Sequence, residues 1–132
     1  MANLTIALRI LGPLFFLVAA LHLALGLGAD AMLGAQVTDQ MKAEPTLDSQ
    51  NRFYGVAFAL YGVILLICAK DLNRYEPILR ATLWVFFLAG LSRVVSWLAV
   101  GSPTPPVIAL AAVEMIAPLV LLCWLSRTHN TA

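Results

Sequence analysis

Residues 77–100 read PILRATLWVFFLAGLSRVVSWLAV, and this stretch decides the fold of the 132-residue chain. A bilayer core takes about 20 helical residues to cross, at a rise of about 1.5 Å per residue, so the run is long enough to span it. It lacks the polar–apolar alternation of a barrel strand that faces lipid. Because a lone span must satisfy its backbone hydrogen bonds internally, the run predicts a membrane-spanning α-helix.

Three more apolar runs of similar length lie at about 5–28, 50–69 and 106–125. The composition agrees, since 61% of the residues are hydrophobic and only 11% are charged, whereas about a quarter are charged in soluble domains. The short turn GSPTPP at 101–106 makes the third and fourth spans antiparallel neighbours. We therefore predict an all-α fold, a single-domain integral membrane four-helix bundle.

Polar residues and prolines mark where the helices should begin. Side chains that accept backbone N–H groups favour the position before a helix, and proline favours its first turn. The predicted starts of the second, third and fourth helices are Asp48 or Ser49, Glu76–Pro77 and Thr104–Pro105.

The first run also has features of a secretory signal peptide, because Ala29-Asp30-Ala31 fits the cleavage pattern. Its apolar stretch is too long for that role and contains Pro13 and His22. We therefore predict that the first helix is retained as a span.

Basic residues near the ends of the runs predict the orientation. Lys42 and Arg52 lie on one side of the membrane, among several acidic residues, and the other basic residues lie on the side of the termini. The side with more Lys and Arg faces the cytoplasm, so both termini should be cytoplasmic and the loop at about 29–49 should lie outside. The predicted localisation is a multi-pass position in a bacterial inner membrane. The basic residues on the terminal side are Arg9, Lys70, Arg74, Arg80 and Arg127.

The outer loop carries Leu33, Val37 and Met41 at steps of four residues. This spacing predicts one face of a short amphipathic helix. Such a helix would be either an ordinary interfacial connector or a lid over the end of the bundle.

Four ionisable residues, one from each run, share a layer near the outer surface: His22, Arg52, Arg93 and Glu114. Helical rise places Arg93 and Glu114 both about 10 Å deep on adjacent antiparallel helices. A charge at that depth must be paired, so we predict an ion pair in which the guanidinium holds the carboxylate with two bonds. Pro118 leaves the carbonyl of Glu114 without its helical partner, which predicts a kink there.

The second run shows which way Arg52 should face. Gly55 and Gly62 lie on the same helix face as Arg52, and small residues at that spacing permit close helix packing. Arg52 is therefore expected to face the bundle. Tyr54 and Tyr61 lie on a rather different face, from which one of them is expected to reach the polar layer.

Several of these stretches resemble one known family. LDSQNRFYG (47–55), GLSRVVSW (90–97), the G-x-P at 101–103 and Glu114 resemble a small bacterial family of four-span inner-membrane proteins classified as a domain of unknown function. The chain is also loosely similar in architecture to DoxX-like proteins. The resemblance implies the four-span architecture and supplies no reaction. Its motif residues here are Asn51, Arg52, Tyr54, Gly55, Arg93 and Glu114.

The polar layer favours a site for an apolar ligand with a polar head, such as a lipid, quinone or isoprenoid. In a catalytic version, Glu114 would be the general acid or base, His22 a second proton carrier, and Arg93 would stabilise developing negative charge. The sequence leaves open whether the site is catalytic. The expected ligand-binding residues are Arg52, Asn51, Tyr54, Ser96 and Trp97, of which the last two share the helix face of Arg93.

Structural alternatives stand beside each of these roles. Arg93 and Glu114 could only fix the helix register, His22 could bond to a neighbouring carbonyl, and Arg52 could extend to water. The chain would then be a non-catalytic helper that packs against a partner membrane protein or a second copy of itself. One His and one Glu within the runs are too few to predict a metal site. No cofactor is predicted, and a net charge of +1 does not favour nucleic acid as a partner.

Overall fold

A computed structural model describes residues 2–129 of the chain, with side chains described to residue 127. Within these residues the chain is built from helices alone, as predicted. Their bounds, in chain order from α1 to α6, are Ala2–Leu25, Leu27–Met32, Asp39–Lys42, Pro45–Cys68, Leu72–Val100 and Pro105–His129.

The four long helices α1, α4, α5 and α6 are long and apolar enough to cross a bilayer. Each is a single continuous run of at least 23 residues. The chain is therefore a multi-pass membrane protein built as a four-helix bundle, which confirms the predicted fold class.

Two helices begin earlier than predicted. The cap of α4 is Glu44, rather than Asp48 or Ser49, and its carboxylate accepts the backbone N–H groups of Leu47 at 2.5 Å and Thr46 at 3.1 Å. These two bonds hold the pKa of Glu44 below its ordinary value. The capping contribution is therefore present above the unfolded pKa and is lost as the pH falls through the folded one.

The start of α5 differs in the same way. Asp71 caps it by accepting the backbone N–H of Arg74 at 3.0 Å. The helix therefore begins at Leu72, and Pro77 lies inside it. Both predictions failed because the first turns of α4 and α5 are polar and precede the apolar runs. The start of α6 at Pro105, directly after Thr104, is confirmed.

The loop between α1 and α4 does not form the single amphipathic helix that Leu33, Val37 and Met41 predict. It contains the short helices α2 and α3, with residues 33–38 outside either helix. Gly34 has a φ of +90°, a left-handed conformation that breaks the helix and that glycine adopts readily. The hydroxyl of Thr104 donates to the carbonyl of Leu33 at 2.7 Å, so the loop is tied to the turn between α5 and α6.

The long helices pack as two close pairs, α1 with α4 and α5 with α6, and the pairs meet mainly along α4 and α5. Glycines allow the first pair its close approach. A Cβ on Gly62 would lie 2.7 Å from the carbonyl oxygen of Gly12, and one on Gly55 would lie 2.1 Å from Cβ of His22. Small residues at such crossings are typical of membrane helices.

The buried core lies at one end of the bundle. We call this the terminal end, because α1 begins there and α6 finishes there. The opposite end carries α2, α3 and the α5–α6 turn, and we call it the loop end. This core occupies only the terminal half of the bundle. The buried residues of the core are Leu4, Leu8, Leu65, Cys68, Ala69, Leu72, Leu79, Leu83, Leu121, Leu122 and Leu125.

We predict that Gly62→Ala lowers the free energy of unfolding by about 1–3 kcal/mol, because the added methyl group meets backbone that cannot yield. The measurement is thermal unfolding in detergent. Gly28→Ala is the matched control, since a Cβ there meets only Cβ of Leu25, at 3.4 Å, within 4 Å. Equal unfolding temperatures for the two variants would contradict the close α1–α4 crossing.

Candidate functional site

A cavity of about 630 Å³ lies between the two helix pairs. Binding pockets for small molecules are about 300–1,000 Å³ in volume. Along α4 the lining runs from Asn51 to Leu65, a length of about 21 Å at helical rise. The cavity is therefore elongated along the bundle and reaches from the loop end to the leucine core.

Arg93 and Glu114 form the predicted bidentate ion pair in the wall of this cavity. Nη2 of Arg93 donates to Oε1 of Glu114 at 2.8 Å, and Nε donates to Oε2. Glu114 is only 5% exposed. Gly90 allows α5 to approach α6 here, since a Cβ on it would lie 3.1 Å from Cβ of Glu114. The pair holds the carboxylate and the guanidinium at the cavity rather than in lipid.

Three more polar side chains extend from this pair toward the loop end. Nδ2 of Asn51 donates to Oδ2 of Asp30 at 2.5 Å. Nε2 of His22 lies 3.9 Å from Oδ1 of the same carboxylate, and the charge of Asp30 also acts on Arg93. We call Glu114, Arg93, Asp30, Asn51 and His22 the polar chain. All five line the cavity and come from five different helices.

The remainder of the cavity wall is apolar and aromatic. The ring of Phe15 lies 5.5 Å from that of Tyr61 and 5.3 Å from that of Phe86, measured between centroids. Phe58 joins the same cluster. The cavity thus offers polar groups at its loop end and hydrocarbon or aromatic surface toward the terminal end.

Three predicted ligand-binding residues lie outside the lining of the cavity: Arg52, Ser96 and Trp97. Arg52 instead donates from Nε to Oδ2 of Asp48 at 2.7 Å, and from Nη1 to the carbonyl of Leu23. Ser96 and Trp97 are exposed on the surface of α5. Ser96 comes three residues after Arg93, about 60° short of a full helical turn, and Trp97 comes four residues after it, about 40° past one. Neither side chain therefore points in the direction of Arg93.

Tyr54 and Tyr61 both line the cavity, whereas the sequence led us to expect only one of them to reach the polar layer. Tyr54 is 63% exposed and lies at its edge. Tyr61 lies in the aromatic wall, where the charge of Glu114 acts on it. Nδ1 of His22 donates to the carbonyl of Val18 at 2.9 Å, which is the bond that its structural alternative describes.

Asp30 is the polar residue that sequence reasoning missed. It lies two residues after the first apolar run, where the sequence suggested either an acidic residue of the outer loop or part of a signal-peptide cleavage site. The signal that could have identified it is its closeness to His22 in the sequence. Asp30 comes only eight residues later, so a short helix can bring its carboxylate back to the histidine. Its role depends on the break at Gly26, where φ is +52°.

A second, wholly apolar groove lies between α1 and α6. It shares Leu11, Val113, Ala117 and Leu121 with the cavity. One layer of side chains therefore separates the cavity from the lipid-facing surface at this seam. Among the side chains that the structure describes, residues 2–127, no group of three His, Cys, Asp or Glu residues is placed to hold a metal ion.

A double-mutant cycle tests the energetic role of the ion pair. We predict that Arg93→Met and Glu114→Gln each lower the free energy of unfolding by about 3–5 kcal/mol, because each leaves a buried partner uncompensated. The double variant should lose much less than the sum of the two. The measurement is thermal or denaturant unfolding in detergent.

The control cycle uses Lys42→Met and Asp39→Asn. These residues form an exposed ion pair within α3, with Nζ of Lys42 3.7 Å from Oδ1 of Asp39. An exposed pair of this kind should show a coupling of about 0.5 kcal/mol or less. Strict additivity at Arg93 and Glu114 would contradict the buried pair.

Comparison with known proteins gives one match. The family described as a domain of unknown function, DUF4345, matches residues 3–125, which is nearly the whole chain. No curated protein and no solved structure matches, and a likeness to DoxX-like proteins is not among these findings. The four-span chain with its Arg93–Glu114 pair therefore belongs to the DUF4345 family.

Proposed function

We propose that this protein binds an elongated apolar molecule with one polar head group, of the lipid, quinone or isoprenoid class, inside the bundle. The observation that carries the proposal is the cavity of about 630 Å³, polar at its loop end and apolar along the remainder. A ligand with one polar end matches this distribution in a single orientation. Its head would lie against the polar chain and its tail against the aromatic cluster.

The seam between α1 and α6 supports the same proposal. An apolar molecule dissolved in the bilayer would meet the shared wall of Leu11, Val113, Ala117 and Leu121. Small shifts of these side chains would open the cavity to lipid. A ligand could thus enter the cavity directly from the membrane. The polar chain would be exposed to hydrocarbon only while these side chains are displaced.

The competing function is that of a helper subunit whose polar layer only fixes helix register. That role needs a filled bundle, because an empty cavity forfeits the contacts of the side chains around it. The large cavity favours the ligand site. The polar chain would then position a head group, with Glu114 as the group placed to exchange a proton with it in a catalytic version.

For the localisation we propose a bacterial inner membrane with both termini in the cytoplasm. Lys70, Arg74, Arg80 and Arg127 lie at the terminal end of the bundle, and the side richer in Lys and Arg faces the cytoplasm. The polar chain and the loop end would then face the outer side of that membrane.

A cavity-filling variant tests the proposed function. We expect the protein, extracted in a mild detergent, to carry a bound apolar molecule that native mass spectrometry detects, or to take up added decylubiquinone, farnesol or hexadecanol. Ala117→Phe should weaken both, because position 117 lines the cavity and a phenyl ring there takes space that the ligand would occupy.

The matched control is Ala109→Phe, the same change on an exposed position of the same helix. It should bind as the unaltered protein does. Failure of the unaltered protein to carry or take up any of these molecules would contradict the proposal, as would unchanged binding by Ala117→Phe.

A further inference from the structure

Both arginines near the head of the cavity already have a carboxylate partner. Arg93 gives two N–H groups to the carboxylate of Glu114. Arg52 is held by Asp48 and by the carbonyl of Leu23, and it does not line the cavity. The positive charges that would attract a phosphate or carboxylate are therefore already neutralised.

The polar chain contains more carboxylate than guanidinium groups. It has the carboxylates of Glu114 and Asp30 against the single guanidinium of Arg93. A carboxylate or phosphate brought into this surrounding would meet net repulsion in a medium that screens charge weakly. The electrostatics of the site favour a neutral head group.

The same region contains a buried hydrogen-bond acceptor that has no donor. Among residues 2–127, Oδ1 of Asn51 is the one buried side-chain nitrogen or oxygen that has no hydrogen-bond partner. Nδ1 of His22 donates to the carbonyl of Val18. Nε2 of the same ring lies 3.9 Å from Oδ1 of Asp30, which is beyond hydrogen-bond distance.

A buried acceptor without a donor costs free energy, and native proteins rarely leave one unexplained. A hydroxyl on a bound ligand supplies the missing hydrogen. The terminal torsion of an asparagine is soft, so a modest rotation would turn Oδ1 of Asn51 toward the cavity that this residue lines. The hydroxyl oxygen could in turn accept one of the N–H groups of Arg93 that Glu114 does not use.

Building on the proposed ligand site, we propose that the head group is a neutral hydroxyl, an alcohol or a phenol, and that Asn51 is the residue that selects it. Acceptor-only head groups such as ethers and carbonyls cannot donate to Oδ1. Anionic head groups meet the excess of carboxylates. Among molecules with the same apolar tail, the site thus prefers those whose head group has a hydroxyl hydrogen to donate.

Three probes of equal tail length test this selectivity. They are 1-hexadecanol, methyl hexadecyl ether and hexadecanoate, used with the full-length protein in detergent. Direct binding of radiolabelled hexadecanol and competition by the other two give the affinities. We expect the alcohol to bind at least about tenfold more tightly than the ether, since an unmade buried hydrogen bond carries that cost, and hexadecanoate to bind more weakly than the alcohol.

Asn51→Leu, which removes the acceptor at nearly constant size, should reduce the preference for alcohol over ether to less than about threefold. Asn73→Leu is the matched control, because this exposed residue lies at the terminal end of α5. It should retain the full preference. The comparison of probes on the unaltered protein needs no variant and stands if Asn51→Leu fails to fold.

Equal affinities for the alcohol and the ether, or tighter binding of hexadecanoate, would overturn the hydroxyl selectivity and leave the ligand site standing. If the Asn51→Leu variant kept the preference for alcohol over ether, Asn51 would not be the residue that selects the head group. Absence of binding by all three probes would overturn the ligand site together with its selectivity.

Discussion

A guanidinium within the apolar layer costs several kcal/mol unless a counter-charge accompanies it, and this constraint shapes the whole loop half of the protein. Arg93 meets it by clasping Glu114 with two hydrogen bonds. The bond pair ties α5 to α6 at a fixed register and turns both charges toward the interior. Once these groups face inward, the space around them must be polar, hydrated or occupied by a ligand.

The two halves of the bundle solve different physical problems. At the terminal end, leucines from all four long helices fill the interior and leave no polar side chain among the buried core. At the loop end, glycines bring α1 onto α4 and α5 onto α6, yet the two pairs stand apart on the α1–α6 side. Packing holds the bundle together at one end, and a space of molecular size remains at the other. A space of this kind within a membrane protein is filled most easily by a molecule that the membrane already dissolves.

The chain between α1 and α4 completes the polar end. The break at Gly26 lets α2 return Asp30 to the neighbourhood of His22 and Asn51. Thr104 fastens the same segment to the α5–α6 turn. The polar chain therefore depends on contacts between five helices at the loop end of the bundle.

The number of spans and the pairing of Arg93 with Glu114 could be predicted from the sequence, because apolar run length and helical rise are local quantities. The caps at Glu44 and Asp71 were missed because the polar first turns of α4 and α5 extend beyond the apolar runs that mark a span. Arg52 does not line the cavity because Asp48, one turn earlier, and the carbonyl of Leu23 on α1 hold its guanidinium. Asp30 was missed because its position depends on the left-handed backbone at Gly26. Ser96 and Trp97 show that sharing an approximate helix face does not bring a side chain to a site.

The most direct test of the central claim is an experimental structure of the protein crystallised from a lipid phase. The account predicts Arg93 bound to Glu114, with elongated density between the helix pairs whose polar end lies near Asn51 and whose tail reaches the aromatic cluster. A bundle in which side chains close the space between the pairs, or in which Arg93 points to the surrounding lipid away from Glu114, would contradict it.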